Sequence, residues 1–344
     1  MQIPGRDDAA RVAWLGRHRL WPVADLLLER RLLSPGLAAL ANQLAQPQLR
    51  SMHRQFEEER RVVSALVDAG IPVLVLKGAL LAQTVYPSPE SRFRSDMDLL
   101  TDTAQMPGAE AVLKKLGYHQ PMAIQSATPM RQRLWTRRDD QQSFSVDLHW
   151  DLRNHPALQD RLTFADLLPC AQPLSGLAAG ALGMGHVHAL LNASMHYFND
   201  YADSRPCQWL LDKDLLWRKM TRDERETCIR MACERGLAGL LGESLARTRY
   251  TFATPVRDEE IETLRAAGHD QWSTGLVRAN DARWSAYWFA LRSEPGLRRK
   301  LFRIKTGVFP PAAYIHQLYP DGSRFGLLGL YLRRFANSLR VRPQ

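Results

Sequence analysis

LKGALLAQTVYPSPESRFRSDMDLL, residues 76–100, decides how the chain is read. It opens on a Lys-Gly pair, Lys77-Gly78, and closes on two aspartates, Asp96 and Asp98, one residue apart. Just upstream, IPVLVL (71–76) is a short continuous apolar and β-branched run, the pattern of a strand buried on both faces. ALLAQTVY (79–86) predicts about two helical turns, and YPSPESRFRS (86–95), with two prolines, predicts a loop. DMDLLT (96–101) predicts a second strand. Side chains alternate across a strand, so Asp96 and Asp98 share one face while Met97 and Leu99 take the other. Two carboxylates that close repel when ionised. A hard, oxygen-seeking cation, Mg²⁺ or Mn²⁺, is the partner that would hold them.

Working outward, GAEAVLKKLGY (108–118) predicts a helix closed by Gly117. SFSVDLHWDL (143–152) predicts a third strand, alternating through Phe144, Val146, Leu148 and Trp150. That alternation puts Asp147 and His149 together on the opposite face. Residues 10–70 read as helices: WPVADLLLERRLL, PGLAALANQLAQ, and the longer amphipathic QLRSMHRQFEEERRVVSALVDAG, which stops at Gly70. From about residue 177 strands fade and helical patterns take over, including HVHALLNASMHYFN and PCQWLLDKDLLWRKM. The expectation is an α+β fold. A helical N-terminal segment (1–69) precedes a small α/β core (70–170), and a mostly helical C-terminal region (171–344) follows.

Composition bounds the function. The chain has 344 residues, 45% of them hydrophobic and 24% charged, which supports a sizeable core and excludes global disorder. Net charge is +10, favouring a phosphate-bearing or polyanionic partner. Most of that excess lies in the tail from Ala290, where eleven Lys and Arg residues face only Glu294 and Asp321. A solvated helix face, a groove for an anionic acceptor and a membrane-surface contact are all open readings of that tail. Cys170, Cys207, Cys228 and Cys233 form no C-x-x-C pair, so reduced thiols are expected. The start of the chain has no apolar signal-peptide core, and no stretch reads as a membrane span. A soluble, cytoplasmic protein is expected.

Asp147 supplies a third acid. Two acids on one strand and one on its neighbour can hold two divalent ions, which activate an attacking hydroxyl and stabilise a leaving phosphate. In LVLKGAL, a strand that breaks at Gly78 and enters a helix presents backbone N–H groups where a triphosphate could sit, with Lys77 adding charge. His149, on the face of Asp147, either orients a carboxylate, contacts substrate, or is a buried structural histidine.

This combination resembles the DNA polymerase beta superfamily of nucleotidyltransferases. More narrowly, it is similar to a bacterial family of uncharacterised nucleotidyltransferases. The matching residues are Lys77, Gly78, Tyr86, Pro87, Arg92, Asp96, Asp98, Asp147, His149 and Trp150, within roughly residues 70–155. Weaker similarity continues in WLLDKDLL and YLRRF. The resemblance implies a small mixed sheet with helices, and an Mg²⁺-dependent enzyme that takes an NTP or other nucleotide donor. It implies Asp96, Asp98 and Asp147 as metal-binding catalytic acids. Nucleotide contacts would come from Lys77, Gly78, Arg92 and Arg94, the guanidinium fork of Arg92 being suited to phosphate oxygens. The superfamily's Gly-Ser turn is Gly78-Ala79 here, so Lys77, Arg92 or Arg94 would replace the missing hydroxyl. The acceptor is open: a sugar, a sugar phosphate, a peptide or protein hydroxyl, or an RNA end. Two other readings are a transferase using a nucleotide-sugar donor and a non-catalytic nucleotide- or partner-binding module.

Overall fold

A computed structural model describes residues 3–121, 130–199, 205–279, 283–319 and 326–340. Asp321, Arg324 and Arg342 of the basic tail lie outside the described residues. The chain begins with helices α1 (Asp8–Arg17), α2 (Ala24–Glu29) and α3 (Pro35–Asp68). The core follows as β1 (Val73–Val75), α4 (Lys77–Thr84), β2 (Met97–Thr101), α5 (Met106–Lys115), β3 (Gln132–Arg138) and β4 (Ser143–His149). Then come α6 (Phe164–Leu167), β5 (Gln172–Pro173) and β6 (Leu182–Gly183). Helices α7 (His186–Asn199), α8 (Gln208–Lys219), α9 (Arg222–Glu234) and α10 (Ala238–Phe252) pack beside them. The remaining helices are α11 (Asp258–Gly268), α12 (Trp272–Ala279), α13 (Arg283–Ser293), α14 (Leu297–Val308), α15 (Ala312–Leu318) and α16 (Leu327–Arg340). The class is α+β.

The helical front departs from its sequence pattern at one place. PGLAALANQLAQ and QLRSMHRQ form one 34-residue helix, α3, that runs straight through Pro47. An interior proline costs about 3 kcal/mol. The helix buries Leu37, Met52, Val62, Val63 and Leu66 on one face, each worth about 1.5–3 kcal/mol, so packing outweighs the break. Its end is as the sequence predicts. Gly70 takes φ +67°, and Ile71 N–H reaches back to the Leu66 carbonyl at 3.0 Å.

The sheet is mixed and has the strand order β3-β4-β2-β1-β6-β5. β2 runs parallel to β4 and antiparallel to β1, and β1 runs parallel to β6. The central strands β1 and β2 are buried along their whole lengths. That explains why IPVLVL, which supplies β1, reads as a continuous apolar run. The edge strand β3, QRLWTRR, carries no such signal and escapes the sequence reading. Its partly exposed pattern is that of an edge. The sheet also extends past residue 170, because Leu182–Gly183 pairs with Leu74 and Val75. One contiguous apolar core runs from Val12 to Leu276. No helix among the described residues is long and apolar enough to cross a membrane. The four cysteines are free thiols.

Candidate active site

Four segments meet at a cavity of about 250 Å³: the start of α4, the loop into β2, α7 and α8, with Arg19 from the end of α1 on its rim. Lys77, Gly78, Arg92, Arg94, Asp96 and Asp98 all line it. The strand-to-helix turn is tight. Lys77 takes φ +44°, in the left-handed region that costs a non-glycine residue roughly 1–2 kcal/mol. No side chain caps α4. Its first-turn N–H groups have no partner within a helix and remain available to an anion. Gly78 sits in a close space: a Cβ there would stand 3.1 Å from Arg94 Cβ and 3.2 Å from Arg92 Nη1, so both arginines would have to give by a few tenths of an ångström.

The acids gather around Asp98. Parallel pairing of β2 and β4 places Asp98 directly opposite Asp147. Asp98 is buried, and its Oδ1 accepts from Lys77 Nζ and from His149 Nε2, the latter at 2.8 Å. Burial alone would raise this carboxyl. The Lys77 ammonium and the His149 hydrogen bond overturn that and hold it well below the ordinary carboxylate range. Burial, then the charges of Asp98 and Asp96, push Asp147 up to about 7; Lys77 and the Gln132 amide oppose the shift without overcoming it. Asp96 precedes β2 rather than lying in it, and burial together with Asp98 raises its carboxyl too.

Asp98, Asp147 and His149 present ligand atoms that all lie within 4.8 Å of one another. The sequence reading grouped Asp96 with Asp98 and Asp147. The structure brings His149 into the tight group and sets Asp96 on the pocket wall beside it. The donor set suits Mg²⁺ or Mn²⁺. Carboxylate oxygens are their preferred ligands. Burial first, and then the neighbouring Asp98 charge, raises the Asp147 and Asp96 carboxyls, and a divalent ion would offset the repulsion among them. His149 Nε2 is engaged with Asp98, while its buried Nδ1 has no partner. Its hydrogen bond fixes the orientation of the Asp98 carboxylate.

The two arginines proposed for phosphate are held by acids. Arg92 grips Asp212 of α8 in a two-pronged pair, Nε–Oδ1 3.0 Å and Nη2–Oδ2 2.7 Å, and Tyr86 donates to the same carboxylate at 2.8 Å. Arg94 is tied to Glu59 of α3 at 2.6 and 2.8 Å, and its Nη1 donates to the carbonyls of Pro89 and Arg92. Both pairs are buried and shape the loop that carries Asp96.

Several pocket residues escape the sequence reading. WLLDKDLL signals Asp212 as a buried acid in need of a partner, but nothing local names Arg92, 120 residues away, as that partner. His196 lines the cavity with Asn192 and Trp209. Arg153 donates to Asn192 Oδ1 and, at 3.5 Å, to His196 Nδ1, which leaves His196 Nε2 carrying the proton. Arg19 gives no local signal at all.

Next to Asp212, Lys213 is fully buried; its Nζ donates to Trp209 O at 2.7 Å and sits 4.1 Å from the Tyr197 ring centroid. Burial pushes this ammonium down to about 7, with Asp212 opposing the shift and Arg205 and Arg247 adding to it. An unfolded lysine titrates near ~10.4, so the unfolded chain binds this proton more tightly. The fold therefore loses stability as pH drops from about 10 to about 7. Lys213→Met is expected to raise Tm, and to raise it more near pH ~6.5 than near pH ~9.5. Equal shifts at both pH values would show that this lysine does not titrate in the fold.

The family model described as an uncharacterised nucleotidyltransferase matches residues 5–253. A comparison with curated proteins finds no match.

Proposed function

The chain belongs to the family of uncharacterised nucleotidyltransferases, and from that premise we propose that it moves a nucleoside monophosphate from an NTP to a hydroxyl or phosphate of an acceptor, releasing pyrophosphate. The enzyme class follows from the family. The metal, the donor and the residue roles are the proposal.

One observation carries it: Asp98 and Asp147 stand opposite each other on adjacent parallel strands, beside an uncapped helix N-terminus with its own lysine. Asp98 and Asp147, with Asp96, would hold Mg²⁺ or Mn²⁺. When bound, such ions polarise the phosphate and favour the deprotonated form of the attacking oxygen. Lys77 and the first N–H groups of α4 neutralise the phosphate chain. His149 keeps the Asp98 carboxylate in one orientation. Arg92, through Asp212, locks the loop that presents Asp96. Arg94 supports that loop from behind through Glu59. The cavity wall of Asn192, His196 and Trp209 offers two N–H donors and an aromatic face to the base or the acceptor.

The test is incubation with each NTP and Mg²⁺, with a pyrophosphate assay and mass analysis of candidate acceptors. Calorimetry with a non-hydrolysable NTP is expected to show binding that collapses on adding EDTA. Equal affinity with and without metal would sink the metal-dependent reading. A hexose increment on the acceptor, in place of a nucleotide, would identify a nucleotide-sugar donor.

A further inference from the structure

Four cations line the cavity: Lys77, Arg92, Arg94 and Arg19. Three of them already face a carboxylate, on Asp98, Asp212 and Glu59 respectively. Arg19 has no carboxylate partner among the described residues. Its guanidinium lies over the Phe93 ring, 4.7 Å from the centroid. A cation over an aromatic face is held electrostatically while its N–H groups remain available to oxygen atoms.

The mount is rigid. Arg19 follows the last turn of α1 in the left-handed conformation, φ +61°. Arg19 N–H bonds to Gly16 O and Leu20 N–H to Leu15 O, both at 2.9 Å, a closure that glycine usually occupies. The Trp21 indole packs where a Cβ on Gly16 would stand and donates to Val12 O at 2.7 Å, pinning the turn. Arg31 closes α2 in the same way, φ +58°, but does not line the cavity. The backbone conformation therefore is not what marks Arg19. Its unpaired charge at the pocket is.

We infer that Arg19 is the arginine that grips the phosphate chain of the donor, supplied to the site by the N-terminal helical segment. This rests on the reading of the pocket as a nucleotide site and assigns the phosphate contact that Arg92 and Arg94 are not free to make. A planar fork on a fixed support suits the paired oxygens of a polyphosphate. Burial and then the neighbouring Arg92 charge lower the Arg19 guanidinium, and Asp96 and Asp212 act on it in the opposite direction.

Calorimetric titration with inorganic tripolyphosphate, in Mg²⁺, tests this without presuming a nucleotide. The parent is expected to bind, Arg19→Gly to bind at least tenfold more weakly, and Arg19→Lys to fall between them. Arg19→Gly also suits the left-handed position, so it is expected to keep a parent-like Tm. Arg31→Gly relieves the equivalent position outside the pocket and is expected to bind as the parent does. Parent-like affinity in Arg19→Gly, or no binding by the parent, overturns the assignment. If tripolyphosphate binds through Arg19 but no NTP is turned over, Arg19 stands and the transferase reading falls. If NTP turnover continues in Arg19→Gly with unchanged KM, the transferase reading stands and Arg19 falls.

Discussion

Asp98→Asn is expected to lower turnover by about a hundredfold or more, the scale seen when one preorganised electrostatic group is removed from a site. Asp98 is the hub of the acids: it meets Lys77, His149 and, across the strand pair, Asp147. An amide keeps the shape but loses the charge, so Lys77 is left without its counter-ion and the site attracts a divalent cation less. The fold is expected to persist, because Met97, Leu99 and Leu100 on the same strand are untouched. Pyrophosphate release measures the loss, and Mn²⁺ titration measures the metal. Full turnover with full metal occupancy would make Asp98 a structural residue only. Asp98→Ala is the poorer probe, since it adds a cavity beside an unpaired buried ammonium.

The largest stability effect is expected at Glu59→Ala. The Arg94–Glu59 pair has side chains 1% and 0% exposed. Removing one partner leaves the other charge buried and uncompensated, which costs about 3–5 kcal/mol. Replacing both together, as Glu59→Met with Arg94→Met, is expected to recover most of that loss, because two apolar side chains of similar volume carry no desolvation penalty. Thermal or urea unfolding of the parent and the two variants checks this. The double variant also separates two roles for Arg94. If it folds and binds the nucleotide as the parent does, Arg94 is a support. If it folds and loses nucleotide affinity, Arg94 touches phosphate after all.

What the sequence discloses depends on the range of the interaction. β1 is legible because a strand buried on both faces reads as a continuous apolar run, and β2 from the alternation that sets Asp98 against Met97 and Leu99. The stops at Gly70 and Gly117 are legible because a positive φ is a local demand, and both residues show it, at +67° and +84°. Asp96, Asp98, Asp147 and His149 are legible as residues, and strand periodicity sets Asp147 and His149 on one face; Asp96 precedes β2 and stands on the pocket wall, which that periodicity does not foresee. β3 is hidden, since an edge strand tolerates Gln, Arg and Thr on its open side. The partners of Arg92 and Arg94 are hidden for a different reason. They lie 120 and 35 residues away, and no local pattern says which carboxylate a buried guanidinium will find. Arg19 is hidden most deeply, because its chemistry comes from where the end of α1 happens to be docked.

The tie between Arg92 and Asp212 also bears on heredity. Either residue changed alone leaves a buried charge without its partner, which costs about 3–5 kcal/mol. The two positions therefore behave as one inherited character, written at distant points of the gene. Viable lineages pass between the charged pair and an uncharged one only by a double step or through a stabilised intermediate. Crossovers between diverged relatives that fall between positions 92 and 212 separate the pair, whereas exchanges beyond α10 leave it intact.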